Sequence, residues 1–180
     1  MDSFMIFNSK KGLTFIGMPS SGKSATGKAL KNKLKCRYVD LDILIREKEG
    51  KHHHLVLQEK GDEMFKKLEE KYTLELDFEN LIFSPGGSMI FSPKAMEKIK
   101  KESIVIHLGV SEEEIKRRLG DNLYKDGIIG LETKGLAKII EERLPLYKKY
   151  ADIYIDTNGL TQEEVVEKVF EKISKDATII

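Results

Sequence analysis

The chain has no tryptophan, one cysteine and four prolines among 180 residues. A single cysteine, Cys36, cannot close an internal disulfide. That excludes a disulfide-stapled secreted scaffold and points to a reducing, cytoplasmic home. Cys36 itself reads as a small packing residue just before a strand. No apolar run approaches the ~20 residues of a membrane span, so no membrane partner is expected. The stretch from Met1 to Asn8 holds Phe4, Met5, Ile6 and Phe7, but also Asp2, and it has no basic leader. It reads as a short strand or packed tail, not a signal peptide. Charge of one sign is also missing in bulk: 31 Lys plus Arg face 30 Asp plus Glu. This balance argues against a nucleic-acid binder driven by net charge and leaves room only for a local basic cleft. Internal repeats, linkers and low-complexity tracts are absent, so the length suits one domain with a substantial core.

What the chain does contain is Gly17-Met18-Pro19-Ser20-Ser21-Gly22-Lys23-Ser24, which fits G-x-x-x-x-G-K-[ST]. That pattern is a phosphate-binding P-loop. Its glycines let backbone N–H groups approach phosphate oxygens. The following helix points its positive end at the same anion. Lys23 would reach the outer phosphates, and the Ser24 hydroxyl would ligate Mg²⁺. The flanks agree with the motif. Leu13 to Ile16 reads as a buried strand, and Ala25, Ala29, Leu30 and Leu34 recur at helical spacing.

Further along, Tyr38-Val39 predicts a second strand that ends in Asp40-Leu41-Asp42. Ile43 to Ile45 begin a helix closed by Gly50. A helix from about His53 to Lys60 should stop at Gly61, with Asp62 as N-cap of a longer one through Phe65, Leu68, Tyr72 and Leu76. Asn80 to Ser84 predicts a strand running into Pro85-Gly86-Gly87-Ser88, and Ser92-Pro93 opens a short helix. Ile104 to Leu108 is the clearest strand. Ser111 and Glu114 have capping-box spacing. The stretch from Gly120 to Gly135 has weak periodicity and reads as a mobile loop. A helix over Leu136 to Tyr150 should kink or split at Pro145. Ile153 to Ile155 is the last strand, and Thr161 caps a final amphipathic helix whose tail is expected to fray. Strands alternating with helices predict a parallel sheet covered on both faces. Ligands of such sheets sit at the carboxyl ends of the strands. That rule gathers the P-loop, Asp40, Asp42 and the loop Pro85 to Ser88 around one crevice.

Asp40 and Asp42, if both extended, project to one side. One could hold the Mg²⁺ shell with Ser24 while the other faces an acceptor hydroxyl as its base. Gly86-Gly87 permits close approach to a ligand. His52-His53-His54 lacks zinc-ligand spacing and reads as a solvated helix start. His107 reads as a satisfied interior histidine. Arg117, Arg118, Lys125 and Arg143 are cations suited to neutralising a transferring phosphoryl group.

Together these residues resemble the shikimate kinase family, within the small P-loop kinases that include gluconate and nucleoside monophosphate kinases. The resemblance runs from about Gly12 to Ile173. It rests on the P-loop, Asp40-x-Asp42, Gly61-Asp62-x-x-Phe65-Lys66-x-x-Glu69, Gly86-Gly87, Arg118, Arg143-Leu144-Pro145-Leu146-Tyr147, Ala151-Asp152 and Asp156-Thr157. It implies a P-loop NTPase-type α/β fold, with a five-stranded parallel sheet and helices on both faces. It also implies one kinase domain over 1–180, with the P-loop at 17–24, an acceptor lobe at about 42–80 and a mobile lid at about 120–133. By resemblance, ATP lies on Gly17, Pro19, Ser20, Ser21, Gly22, Lys23, Ser24, Ala25 and Arg118. Mg²⁺ takes Ser24 and Asp40. The acceptor meets Asp42, Lys66, Gly86, Gly87 and Arg143, and Lys23, Asp42 and Lys125 serve catalysis. The implied reaction passes the γ-phosphoryl of ATP to a hydroxyl of a small acid, shikimate first, on a cytoplasmic monomer. The chain departs from the family at three places. Lys66 stands where the family has arginine, Ser88 replaces a third glycine, and the lid motif R-P-L-L is missing. Arginine forks onto a carboxylate and lysine does not, so the departures bear on the acceptor. The rival readings are a kinase for a sugar acid or nucleotide, and a nucleotide-binding regulatory module without transferase activity.

Overall fold

A computed structural model describes residues 5–7, 11–120, 128–175 and 177–179. In chain order these form β1 (Met5–Phe7), β2 (Gly12–Ile16), α1 (Lys23–Leu34), β3 (Arg37–Asp40), α2 (Leu41–Glu49) and α3 (His53–Glu75). Then come β4 (Leu81–Ser84), a 3₁₀ turn over Met89–Phe91, α4 (Pro93–Glu102), β5 (Ser103–Gly109) and α5 (Glu112–Leu119). The chain closes with α6 (Leu131–Lys134), α7 (Leu136–Tyr150), β6 (Ile153–Asp156), α8 (Gln162–Lys175) and β7 (Ala177–Ile179). Five strands make one sheet in the order β3-β4-β2-β5-β6, and each neighbouring pair is parallel. β1 and β7 pair separately and antiparallel, so the tail past α8 continues as a strand.

The central strands β2, β4 and β5 are buried along their whole length. That is why they read as unbroken apolar runs, since a parallel sheet with helices on both faces hides every side chain. Alternate residues feed two cores. Ile104, Ile106 and Leu108 join α1 and α8 on one face. Val105 faces the other core, with Ile16, Phe83, Met96 and Tyr147. His107 falls on that same second face by the period of two.

Helix ends follow local chemistry. Ser92 Oγ accepts from Ala95 N at 3.2 Å with Pro93 in the first turn. Thr161 and Glu164 complete a reciprocal capping box at 2.8 and 3.2 Å. At α5 only half a box forms. Glu114 N donates to Ser111 Oγ, but the Glu114 carboxylate turns to Arg117 and Arg118. α3 is broken at Gly61, whose φ of 76° is non-helical, as its position implied.

Three expectations are corrected. α7 runs through Pro145 without splitting. Pro145 and Glu141, whose carbonyl loses its partner, lie on the exposed side, where water can serve the carbonyl. The stretch before Gly135 is not all loop, because Leu131 is buried and starts a short helix. Asp40 and Asp42 are not both extended. Asp40 caps α2, and Asp42 lies in its first turn. Among the described residues no helix is long and apolar enough to cross a membrane.

Candidate active site

β2 ends at Ile16, and the chain turns at once into the P-loop. Gly17 has φ of 148°, and a Cβ there would stand 2.5 Å from the carbonyl oxygen of Leu108 on β5. Only glycine lets the loop pass so close to the neighbouring strand. Ser20 adopts the left-handed region with φ of 64°, a strained geometry for a residue with a side chain. Gly22 then opens α1 in the same region, so the first N–H groups of the helix face the concavity.

Lys23 folds back over this loop. Its Nζ donates to the carbonyls of Gly17 at 3.0 Å and Met18 at 2.9 Å. The stem is partly exposed, while the ammonium lies deep among protein atoms. Burial lowers its pKa to about 8, and the carboxylates of Asp42 and Asp40 offset part of that loss. At neutral pH the group is therefore still charged.

Ser24 Oγ donates to Asp40 Oδ2 at 2.6 Å, and Tyr38 Oη donates to the same oxygen at 3.0 Å. Asp42 N donates to Asp40 Oδ1 at 3.1 Å. Ser24 and Asp40 thus present two hard oxygen donors beside an anion cradle. Mg²⁺ characteristically binds through one or two protein oxygens, nucleotide phosphates and water. The residues fit it, and among the described residues no cluster of three His, Cys, Asp or Glu offers a rival metal site.

A cavity of about 280 Å³ opens from the P-loop. Lys23, Ser24, Asp40, Asp42, Gly86, Gly87 and Arg143 all line it, with Pro19 and Ser20 at the loop side. Arg143 is 2% exposed and donates to the carbonyl of Ile129 at 3.1 Å. Tyr147, one helical turn on, is buried and donates to the carbonyl of Gly87 at 2.7 Å. Burial pushes its phenol up to about 12, so it stays a donor. A second hollow of about 240 Å³ lies across the P-loop, lined by Ser20, Ser21, Gly22, Arg118, Leu160 and Gln162 among others. The Arg118 guanidinium is held there by Glu114 at 2.7 Å, the Ser20 carbonyl at 2.9 Å and the Thr157 carbonyl at 3.1 Å. A fixed planar cation of this kind suits stacking on a base. A larger hollow of about 620 Å³ between α3 and residues 128–133 is lined by no lysine or arginine among the described residues.

The anticipated residues do not all converge. Lys66 is absent from the 280 Å³ cavity; its Nζ pairs with Glu63 at 2.9 Å and sits 5.9 Å from the Phe91 ring. Ala25 is exposed in the first turn of α1 and lines neither cavity beside the P-loop. Lys125, with the part of the anticipated lid at 121–127, lies outside the described residues. His107 is not satisfied: its Nδ1 is buried without a hydrogen-bond partner among the described residues, and the ring stacks on Tyr147 at 4.9 Å. Burial lowers it to about 4, so it is neutral and packs as an aromatic.

Sequence reasoning quoted Glu69 and Tyr147 within the motifs of the resemblance without giving either a role, and missed Gln162. Glu69 and Tyr147 each stand four residues beyond an anticipated site or core residue, Phe65 and Arg143 respectively, on the same helix face. That spacing, besides the motifs, is the signal that puts each on the cavity side. Gln162, fixed by a 2.9 Å bond to Thr26 Oγ1, had no signal at all.

A P-loop at the end of the central strand, a hydroxyl–carboxylate pair for a metal, and two cavities that share Ser20 of that loop define a P-loop phosphotransferase of the small-molecule kinase class. Comparison with known proteins narrows the class. The family model described as shikimate kinase matches residues 19–174. The chain belongs to the shikimate kinase family and is a kinase. A shikimate kinase of Thermodesulfovibrio yellowstonii is 30% identical over 174 residues, covering 93% of this chain and 99% of the relative. The solved structure of a shikimate kinase from Acinetobacter baumannii in complex with shikimate superposes with a TM-score of 0.84 at 23% identity, covering 93% and 94% of the two chains. That of a shikimate kinase from Bacteroides thetaiotaomicron does so at 0.78 and 26%, covering 91% and 98%.

Proposed function

We propose that the chain transfers the γ-phosphoryl group of ATP to a ring hydroxyl of shikimate. The observation that carries this reading is the convergence of Lys23, Asp42 and Arg143 on one cavity beside the P-loop. ATP lies with its base against Arg118 and its phosphates along Gly17–Ser24. Ser24 and Asp40 would hold Mg²⁺, which would supply charge neutralisation to the nucleotide phosphates. Arg143 binds the acceptor's anion, as its buried fork is made for a carboxylate. Gly86 and Gly87 let the acceptor lie against the backbone. Residues of about 42–80 supply the acceptor lobe.

The acceptor hydroxyl oxygen attacks the γ-phosphorus. A new O–P bond forms as the bond to the bridging β,γ-oxygen breaks. The hydroxyl proton passes to Asp42, and Lys23 balances charge on the transferring group. The protein acts as a cytoplasmic monomer on small molecules, with no nucleic-acid partner. ADP release with ATP and Mg²⁺ across a panel of shikimate, sugar acids and nucleotides tests the reading. Shikimate should give the highest kcat/KM. A sugar acid or nucleotide ahead of it would replace shikimate as the acceptor. Acceptor-independent ATP turnover, or none, would remove the kinase reading.

A further inference from the structure

The hollow beside Arg118 carries a fixed hydrogen-bond acceptor that the mechanism does not use. Gln162 opens α8 and reaches across to α1, where its Nε2 donates to Thr26 Oγ1 at 2.9 Å. Thr26 is fully buried, so this anchor does not move with solvent. The bond pins one side of the amide and turns Oε1 away from Thr26. Oε1 comes to the end of the P-loop, where a Cβ on Gly22 would stand 3.4 Å from it. Among the described residues nothing donates to Oε1. Gln162 lines the hollow of about 240 Å³ together with Gly22, Arg118 and Leu160. Gly22 marks the phosphate end of that hollow and Arg118 the base end.

From this geometry we infer that Gln162 is a nucleotide-binding residue whose Oε1 accepts a hydrogen bond from a ribose hydroxyl, so that the site favours ribonucleotides over deoxyribonucleotides. The inference rests on the nucleotide half of the proposed function and adds how the sugar is read. An amide oxygen accepts and cannot donate. On ATP the donors are the amine of the base and the hydroxyls of the ribose, while the phosphates offer acceptors only. The amine sits at the far end of the base, away from the P-loop. The ribose joins base to phosphates, so its hydroxyls are the donors that come beside Gly22. Because Thr26 already holds the amide, little side-chain freedom is lost when the sugar arrives. A deoxynucleotide would leave Oε1 covered and without a donor.

The test needs no acceptor. Calorimetric titration with Mg²⁺ present compares ADP with 2′-deoxy-ADP, 3′-deoxy-ADP and inosine diphosphate, which lacks the amine. At least one deoxy analogue should bind about fivefold more weakly than ADP, the worth of one neutral hydrogen bond. In Gln162→Leu, ADP should fall to the level of that analogue, so the ratio between them closes to about one, while the ratio of ADP to inosine diphosphate stays as in wild type. Gln162→Glu keeps an acceptor at the same place. It should retain the deoxy ratio although every nucleotide binds more weakly, because a carboxylate then faces the phosphates. A residue that only ties α8 to α1 would move all four affinities together and leave both ratios alone. Equal binding of ADP and both deoxy analogues, or a deoxy ratio that persists in Gln162→Leu, overturns the inference. So does an inosine ratio that closes in Gln162→Leu, since Oε1 would then read the base. If the deoxy ratio behaves as expected but shikimate is not phosphorylated, the proposed acceptor falls and the role of Gln162 stands. If ADP does not bind at all, the nucleotide site and this inference fall together.

Discussion

Replacing Lys23 by methionine should abolish turnover and at the same time stabilise the protein. The lysine is brought from 10.5 to about 8 by burial. That corresponds to about 3 kcal/mol against the charged form in the folded state, relative to the unfolded chain. Methionine fills similar space without the charge and removes that cost. It also leaves the Gly17 and Met18 carbonyls without their ammonium, which costs about 1 kcal/mol each. The net gain is about 1 kcal/mol, or a rise in Tm of about 2–4 °C for a domain of this size. The sign can be checked with pH. The native lysine releases its proton near 8, whereas the unfolded one holds it to 10.5. The unfolded state therefore binds more protons in that window, and wild-type stability rises relative to the variant as pH climbs through it. Urea melts at about pH 7 and about pH 9 should show the gap change by about 1 kcal/mol in favour of wild type. A Tm lowered by more than about 4 °C, or near-normal ADP release by Lys23→Met, would refute the reasoning.

Ser24→Ala should raise the Mg²⁺ concentration for half-maximal activity by at least about tenfold, read from a Mg²⁺ titration of initial rates, because one of two protein oxygens is lost. Arg143→Lys keeps the charge and loses the fork, so acceptor KM should rise by about 1.5–3 kcal/mol equivalent. Lys66→Ala, outside the cavity and paired with Glu63, should change acceptor KM by about 1 kcal/mol equivalent or less. Equal effects from the two would place Lys66 on the acceptor after all. Tyr147→Phe leaves the Gly87 carbonyl unpaired. It should lower stability by about 1–3 kcal/mol in urea melts and raise acceptor KM with KM for ATP unmoved.

Much of this architecture can be read along the chain because its signals are local. The P-loop is eight contiguous residues, and the buried strands β2, β4 and β5 are contiguous apolar runs. Asp40 and Asp42 both line the cavity beside the P-loop, but in a local geometry other than the one expected, since helix α2 begins at Leu41 and not two residues later. Pro145 was misjudged because local chemistry cannot show which side of a helix faces water. The bond between Glu69 and Ser88 joins residues 19 apart in sequence. His107 lies under Tyr147 from another element. Such pairings depend on tertiary packing, and no periodicity announces them.

The unbroken passage of α7 through Pro145 has a consequence for how the site comes into being. A proline in a helix interior costs about 3 kcal/mol relative to alanine, so residues 136–150 have little tendency to coil before they dock. Their helix exists because Leu136, Ile139, Arg143 and Tyr147 are packed away on its inner face. α8, with its reciprocal cap, carries no such handicap. Substitutions along α7 should therefore speed unfolding and leave the folding rate nearly unchanged, with φ-values close to zero. The nucleotide half of the cavity is built by neighbours in sequence, a strand, a loop and a helix. The half lined by Arg143 needs residues far apart in sequence, so it is expected to form only as the chain closes.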